Sequence, residues 1–215
     1  MVDHNRTQAV LRGLAFIFVV ALPLGFATPS AADETEEKAG SFIRSLAAEA
    51  IRSLAEKDAP RDIRIQRFRK LFNDHFAVNS IGRFVLGGNW KKASKDEQKE
   101  YLVLFEDLMV VSYVDRFSRY AGENLEVTRT RAENGGSTTV FSQISRPTGK
   151  PVMVLWRVGS TDKTMKILDV IVEGASMSQT LRSDFGSIIR QQDGKVSGLI
   201  DALRLKTASL KASSK

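Results

Sequence analysis

The sequence predicts one domain of the α+β class, with helices before and after a block of antiparallel strands. Apolar residues recur at helical spacing from residue 34 to about residue 120, four extended segments follow between residues 125 and 172, and helical spacing returns after Gly174. Short turns join the four extended segments, so an antiparallel meander is the simplest topology. This order of helices, strands and helices is typical of a single α+β domain.

The first 32 residues have the features of a secretory signal peptide. Arg6 and Arg12 precede an apolar stretch from Leu14 to Phe26, and the small residues of Ser30–Ala32 follow it. A membrane-spanning helix is the alternative, but this stretch would reach only about 20 Å, short of the ~30 Å hydrocarbon core. We therefore expect residues 1–32 to be removed on export, with cleavage after Ala32.

The 215-residue chain contains no cysteine and only two histidines, His4 and His75. This composition excludes disulfide bonds, thiol nucleophiles and cysteine-ligated metals, and it leaves few ligands for other metals. The formal net charge is +7, and loss of residues 1–32 removes two basic residues and one acidic residue, which leaves +6. Export argues against nucleic acid as a partner, so anionic head groups or an acidic protein surface fit this charge better.

Three helices are predicted in the first half of the exported chain. They cover residues 34–57, the stretch from Pro60 to Gly87, in which the helical spacing continues past Phe76, and the stretch from Ser94 to about Tyr120. Proline suits the first turn of the second helix. Ser94 and Glu97 form a capping-box pattern at the start of the third.

Four strands are predicted next, at Leu125–Arg131, Thr138–Arg146, Val152–Val158 and Met165–Val172. Turn residues at 134–136 and 147–149 separate the first three. The third and fourth strands are apolar on both faces, so we expect both faces of the sheet to be covered.

The C-terminal part returns to helix. Ser176 and Gln179 form a second capping-box pattern, and Gly194 separates that helix from a short last one. The chain after Lys206 is small, Ser-rich and basic, which predicts a frayed end. The predicted organisation is a signal peptide at 1–32, one domain at 33–206 and a flexible basic tail at 207–215.

Three patterns could support catalysis, and each has a simpler structural interpretation. Gly174–Ser178 lacks the second glycine of a nucleophile elbow and fits a strand end followed by a helix cap. Asp169 and Glu173 share a strand face and could act as a carboxylate pair, but salt bridges to basic neighbours explain them better. His75 is most simply a helix-surface residue. We therefore predict no catalytic residues and no metal site.

Aromatic residues concentrate between Phe68 and Tyr120, in the helical half of the domain. Any one of them is most simply an ordinary core residue. Together with a sheet that is apolar on both faces, they indicate more apolar interior than the helices and strands need to cover one another. The sequence therefore predicts an apolar cavity between the sheet and the helices.

Two regions carry a family resemblance. The first is Ile81–Trp90, IGRFVLGGNW, and the second runs from Trp156-Arg157-Val158 through Lys166–Val170 to Leu181–Phe185. In their order and spacing these residues resemble the MlaC family of periplasmic phospholipid-binding proteins, also called the toluene-tolerance auxiliary family, over about residues 36–205. The hopanoid-associated HpnM branch of the family stays open.

The resemblance implies an NTF2-like fold, in which a bent four-stranded antiparallel meander sheet is covered by N- and C-terminal helices. It implies a soluble periplasmic lipid carrier without enzymatic activity or cofactor, which holds the acyl chains of a phospholipid, or of a related lipid such as a hopanoid. The implied partners are an outer-membrane lipoprotein complex and an inner-membrane ABC transporter with its MCE-domain ring. We expect a monomer.

Under this interpretation the site residues line a cavity and do not catalyse a reaction. The predicted lipid-binding residues are Phe72, Phe76, Ile81, Phe84, Val85, Leu104, Phe105, Leu108, Met109, Tyr113, Val140, Val154 and Trp156. Arg83, Arg146 and Arg157 are candidates for the head group or the rim of the cavity, with solvated surface as the simpler interpretation of each.

Two other functions stay open at this point. A small enzyme of the isomerase or cyclase type could use a buried aspartate and tyrosine of the same NTF2-like cone to act on an apolar substrate. A structural or chaperone-like module would need an exposed apolar patch instead of an enclosed cavity.

Overall fold

The computed structural model describes residues 31–54, 59–117, 124–160 and 164–212. The predicted signal peptide therefore lies almost entirely outside the described residues. The helices are α1 (Ala31–Leu54), α2 (Arg61–His75), α3 (Val78–Leu86), a 3-10 helix (Gly87–Lys91), α4 (Lys95–Phe117), α5 (Met177–Gln191) and α6 (Val196–Ala212). The strands are β1 (Leu125–Glu133), β2 (Ser137–Ile144), β3 (Val152–Ser160), β4 (Met165–Val172) and β5 (Ala175–Ser176). None of the described helices has an apolar stretch that could cross a bilayer.

The capping box predicted for α4 is present. The Ser94 Oγ accepts from the Glu97 amide at 3.1 Å, and the Glu97 carboxylate accepts from the Ser94 amide at 2.8 Å. These reciprocal bonds satisfy donors that a helix start leaves unpaired, so α4 begins where the sequence places it. Its predicted end at Tyr120 lies outside the described residues. α1 begins at Ala31, three residues before the predicted start.

The five strands form one antiparallel sheet in the order β1-β2-β3-β4-β5. The predicted four-stranded meander is confirmed, but the two-residue β5 is an addition, held to β4 by the pairing of Ile171 with Ser176. Glu173 and Gly174, with φ angles of 49° and 84°, form the tight turn between β4 and β5. A strand of two residues has no periodicity from which to predict it. β2 also ends at Ile144, two residues before the predicted Arg146.

One face of the sheet is covered by α1 and α2. Their apolar residues pack on Val140, Val158 and Ile167 and form a cluster that we call the sheet core. The opposite face is only partly covered, because Met153 is 41% exposed and the Arg129 guanidinium lies 3.9 Å from the centroid of the Phe141 ring. The expectation that both faces are covered is therefore met only in part, and on the second face arginine side chains shield some of the apolar strand residues.

A second cluster, the helical core, joins α2, α3, α4, α5 and α6. At its centre Tyr101 is fully buried, and its hydroxyl donates to the Gly82 carbonyl at 2.9 Å. Burial raises the pKa of the Tyr101 hydroxyl, so this group stays a neutral donor. Phe76 and Ala50 contact both the helical core and the sheet core, so the two clusters meet beside them.

The last helix is longer than predicted. α6 continues past Lys206 to Ala212, with Thr207 only 3% exposed and Leu210 packed against the helical core. Residues 207–212 therefore belong to a helix rather than to the predicted tail, and residues 213–215 lie outside the described residues. The alanine and serine residues of this segment form no apolar pattern from which a helix could be predicted. Its last turns are stabilised by tertiary packing instead.

Ion pairs connect α2, α4 and α6. The Asp107 carboxylate of α4 accepts from Arg69 of α2 and from the Lys211 ammonium at 2.9 Å. Burial alone would raise the pKa of Asp107, but the hydrogen bonds from Lys211 and Arg69 outweigh it and hold that pKa below its usual value. Arg61 forms a similar link from α2 to Asp115, with its Nη2 2.9 Å from the carboxylate.

Candidate functional site

The helical layer contains an apolar cleft of about 450 Å³ between α4, α5 and α6. The cleft is lined by Leu108, Met109, Ser112, Tyr113, Leu181, Asp184, Phe185, Ile188, Ala202, Leu203 and Lys206. Small-molecule sites in proteins are typically clefts of about 300–1,000 Å³ with apolar walls and a few polar groups. The volume and lining of this cleft fall in that class.

Helical spacing and residue size explain the cleft. Leu181, Phe185 and Ile188 are four and three residues apart, so they share one face of α5. Ser112 on α4 and Ala202 on α6 also line the cleft, and both have small side chains. Larger residues at these two positions would fill the gap between the helices, so the space depends on them.

The floor of the cleft is the helical core itself. Leu108, Met109, Phe185 and Leu203 line the cleft, are at most 7% exposed, and belong to the core. The Phe185 ring meets the Phe105 ring edge-on, with centroids 6.5 Å apart and planes at 84°. An apolar ligand in the cleft would therefore contact core residues directly.

Among the described residues, Asp184 and Lys206 are the only charged ones that line the cleft. Both are exposed, and neither belongs to an ion pair within the described parts of the chain. Lys211, one turn and a half further along α6, is by contrast paired with Asp107. A polar group held at the mouth of the cleft could thus meet both a cation and a carboxylate.

The structure brings three of the predicted lipid-binding residues to the cleft, namely Leu108, Met109 and Tyr113. Five others belong to the helical core or pack against it: Phe72, Ile81, Val85, Leu104 and Phe105. Val140 and Trp156 belong to the sheet core, and Phe76 contacts both cores. Val154 is buried outside either cluster, and Phe84 is 40% exposed away from the cleft.

The three predicted arginines lie elsewhere. Arg83, Arg146 and Arg157 are all exposed, and none lines the cleft. The residues that sequence reasoning missed come mainly from α5 and α6, such as Leu181, Ile188 and Ala202. Their helical periodicity was visible, but periodicity alone does not tell which apolar face borders an open space.

A second recess of about 300 Å³ lies at the junction of α2 and α3. Its lining includes Asn73, Asn79, Ser80 and Glu106 around Phe76, and the Asn73 amide donates to the Glu106 carboxylate at 3.0 Å. This polar recess does not have the apolar walls predicted for the cavity.

The carboxylate that could have served an enzyme has a structural role. Asp169 is 5% exposed and accepts hydrogen bonds from the Ser176 hydroxyl at 2.6 Å and the Ser178 amide at 3.0 Å. Ser176 also caps α5 by accepting from the Gln179 amide at 3.1 Å. Asp169 therefore fixes the start of α5 against β4, and it does not line the cleft.

The fold and the cleft define an α+β domain with an apolar site formed inside its helical layer. The chain matches the family described as MlaC protein over residues 44–205, and it belongs to that family. A solved structure described as the phospholipid-binding protein from Ralstonia solanacearum, in complex with a phospholipid, has the same fold. It matches with a TM-score of 0.70 at 19% identity, over 80% of this chain and 98% of that one. This likeness confirms the predicted α+β fold, in which helices precede and follow an antiparallel meander sheet.

Proposed function

We propose that the protein is a periplasmic phospholipid carrier, a binding protein and not an enzyme. The observation that carries this proposal is the apolar cleft between α4, α5 and α6, whose floor is the helical core. Membership of the MlaC family supports the same function. The Ralstonia solanacearum protein of similar fold is described as bound to a phospholipid, which supports this class of ligand.

The cleft accommodates part of a lipid as it stands. Its volume of about 450 Å³ lies in the lower half of the range for ligand sites, so the acyl chains of a phospholipid need more room. We expect the chains to enter between Leu108 and Phe185 and to extend past the Phe105 ring towards Phe76, where the two cores meet. This path passes Leu108, Phe105 and Phe76 of the predicted lipid-binding residues.

Transfer energies explain why such a protein exchanges lipid only at its partners. Two acyl chains with about 30 methylenes represent ~24 kcal/mol of transfer from water to an apolar phase, at ~0.8 kcal/mol each. Release of the lipid into water would therefore be negligible. Transfer from the cleft to another apolar site costs little, because the acyl chains leave one apolar environment for another. The partners in this proposal are an outer-membrane lipoprotein complex and an inner-membrane ABC transporter with its MCE-domain ring, which a monomeric carrier visits in turn.

The head group in this proposal stays at the mouth of the cleft, in contact with water. Lys206 can neutralise a phosphate there, and Asp184 can meet an amine. Arg83, Arg146 and Arg157 lie outside the cleft, so Lys206 and Asp184 replace them as the nearest head-group contacts.

Native mass spectrometry of the protein purified from the periplasm tests this function. We expect the mass of a chain that begins at Asp33, after removal of residues 1–32, together with one bound phospholipid. Organic extraction then identifies this lipid. The same extraction distinguishes a phospholipid from a hopanoid. A chain that is always free of lipid contradicts the carrier, and lipid-free protein that converts an apolar substrate supports the isomerase or cyclase alternative.

A further inference from the structure

A basic surface with an exposed aromatic ring lies where α3 ends and α4 begins. Arg83, Lys91, Lys92 and Lys95 are all exposed there, and the Phe84 side chain is 40% exposed. None of these four cations pairs with a carboxylate in the part of the chain that the structure describes. We call this surface, which also includes Trp90, the α3–α4 patch. Phe84 was predicted to line the lipid cavity, and Arg83 was a candidate for its rim with solvated surface as the simpler interpretation; the structure places both in this patch.

Two guanidinium groups lie over the aromatic rings of the patch. The Arg83 guanidinium is 5.1 Å from the centroid of the Trp90 ring. Arg182 of α5 is 4.9 Å from the centroid of the Phe84 ring, and its Nη1 donates to the Phe84 carbonyl at 2.9 Å. Each ring therefore presents an apolar surface beside a fixed positive charge.

The backbone of the patch is held in one conformation. Gly87 has a φ of 59° and a ψ of −133°, a backbone conformation that favours glycine, and a side chain at this position would also displace the Arg182 guanidinium. The amides of Lys92 and Ala93 both donate to the Asn89 carbonyl at 3.0 Å. The cations are therefore presented on a preorganised turn, which lowers the entropic cost of binding a partner.

We propose that the α3–α4 patch docks on the surface of an anionic phospholipid bilayer. Clusters of about four to eight Lys and Arg bind anionic lipid head groups, and amphipathic aromatic rings favour the head-group level. Three of the patch cations are lysines, a residue depleted at protein–protein interfaces, where arginine is enriched. This composition favours a bilayer over an acidic protein as the partner.

Flotation with vesicles tests this proposal on the protein purified from the periplasm. We expect it to float with vesicles of phosphatidylcholine and phosphatidylglycerol at ~0.1 M salt, and not with phosphatidylcholine alone. Binding should be lost at ~1 M salt, where the Debye length falls from about 10 Å to about 3 Å. The triple variant K91Q/K92Q/K95Q should bind the anionic vesicles on the order of a hundredfold more weakly.

The matched control is K38Q/R52Q/K150Q, which removes the same net charge from α1 and from the connection between β2 and β3. It should float like the wild type. Equal losses in the two triple variants would show attraction by overall charge and overturn the patch. No flotation of the wild type with anionic vesicles would overturn the docking as well. A202F, which changes the cleft and not the patch, should still float, so failure of lipid binding and failure of docking give different results.

Discussion

Filling the cleft with one aromatic ring should prevent lipid binding without removing any core residue. Ala202 lines the cleft from α6 and is half-buried, so the ring of Ala202→Phe would project into the space. Ala208→Phe is the matched control, because Ala208 lies on the same helix and is exposed. It adds the same ring outside the cleft.

The expected loss follows from the transfer energy of the acyl chain. If the ring displaces about four methylenes at ~0.8 kcal/mol each, the phospholipid loses about 3 kcal/mol. This loss corresponds to a dissociation constant on the order of 150 times higher. Overpacking could cost folding stability about 1–3 kcal/mol, which a urea titration of each variant measures separately.

A fluorescence titration with a phospholipid that carries a labelled acyl chain measures the affinity. We expect Ala208→Phe to bind like the wild type and Ala202→Phe to bind weakly or not at all. If the folded Ala202→Phe binds with the affinity of the wild type, the acyl chains do not occupy the cleft between α4, α5 and α6.

Three further predictions concern stability. Tyr101→Phe removes the donor to the Gly82 carbonyl and should lower the free energy of unfolding by about 1 kcal/mol in urea; no change would mean that this buried bond is dispensable. Ser94→Ala removes the acceptor for the Glu97 amide and should lower the free energy of unfolding by about 1 kcal/mol in the same assay; an unchanged value would mean that α4 starts elsewhere. The pKa of Asp107 is lower in the folded state than in the unfolded state. The ionised carboxylate therefore makes its full contribution to the free energy of unfolding above the unfolded pKa of about 3.9, and this contribution is lost as pH falls through the folded-state pKa. Asp107→Asn should therefore flatten the acid loss of stability below about pH 4, and an unchanged slope would contradict this assignment.

Local signals predicted most of the fold. The reciprocal bonds of Ser94 and Glu97 are short-range, so the start of α4 could be predicted from two residues. The end of α6 could not, because Thr207 and Leu210 are held by contacts with distant parts of the chain. β5 was missed for a different reason: its two residues have no periodicity, and its pairing with β4 depends on the turn between the two strands.

The lining of the cleft was predicted less completely than the fold. An apolar stripe marks the face that a helix buries, and Leu108 and Met109 of α4 were recognised in this way. A stripe does not indicate whether its neighbours close the space, which here depends on small residues such as Ala202 of α6. Conversely, a residue that fits the apolar pattern of a helix is not always buried. Phe84 fits the pattern of α3, but it lies near the end of the helix and is exposed.

Photo-crosslinking is the most direct test of the claim that phospholipid chains occupy the cleft. The protein is loaded with a phospholipid that carries a photoreactive group on one acyl chain, and the labelled peptides are identified by mass spectrometry. We expect labels on α4, α5 and α6, at residues such as Met109 and Ile188. Labels confined to α1 and the strands of the sheet core would contradict it.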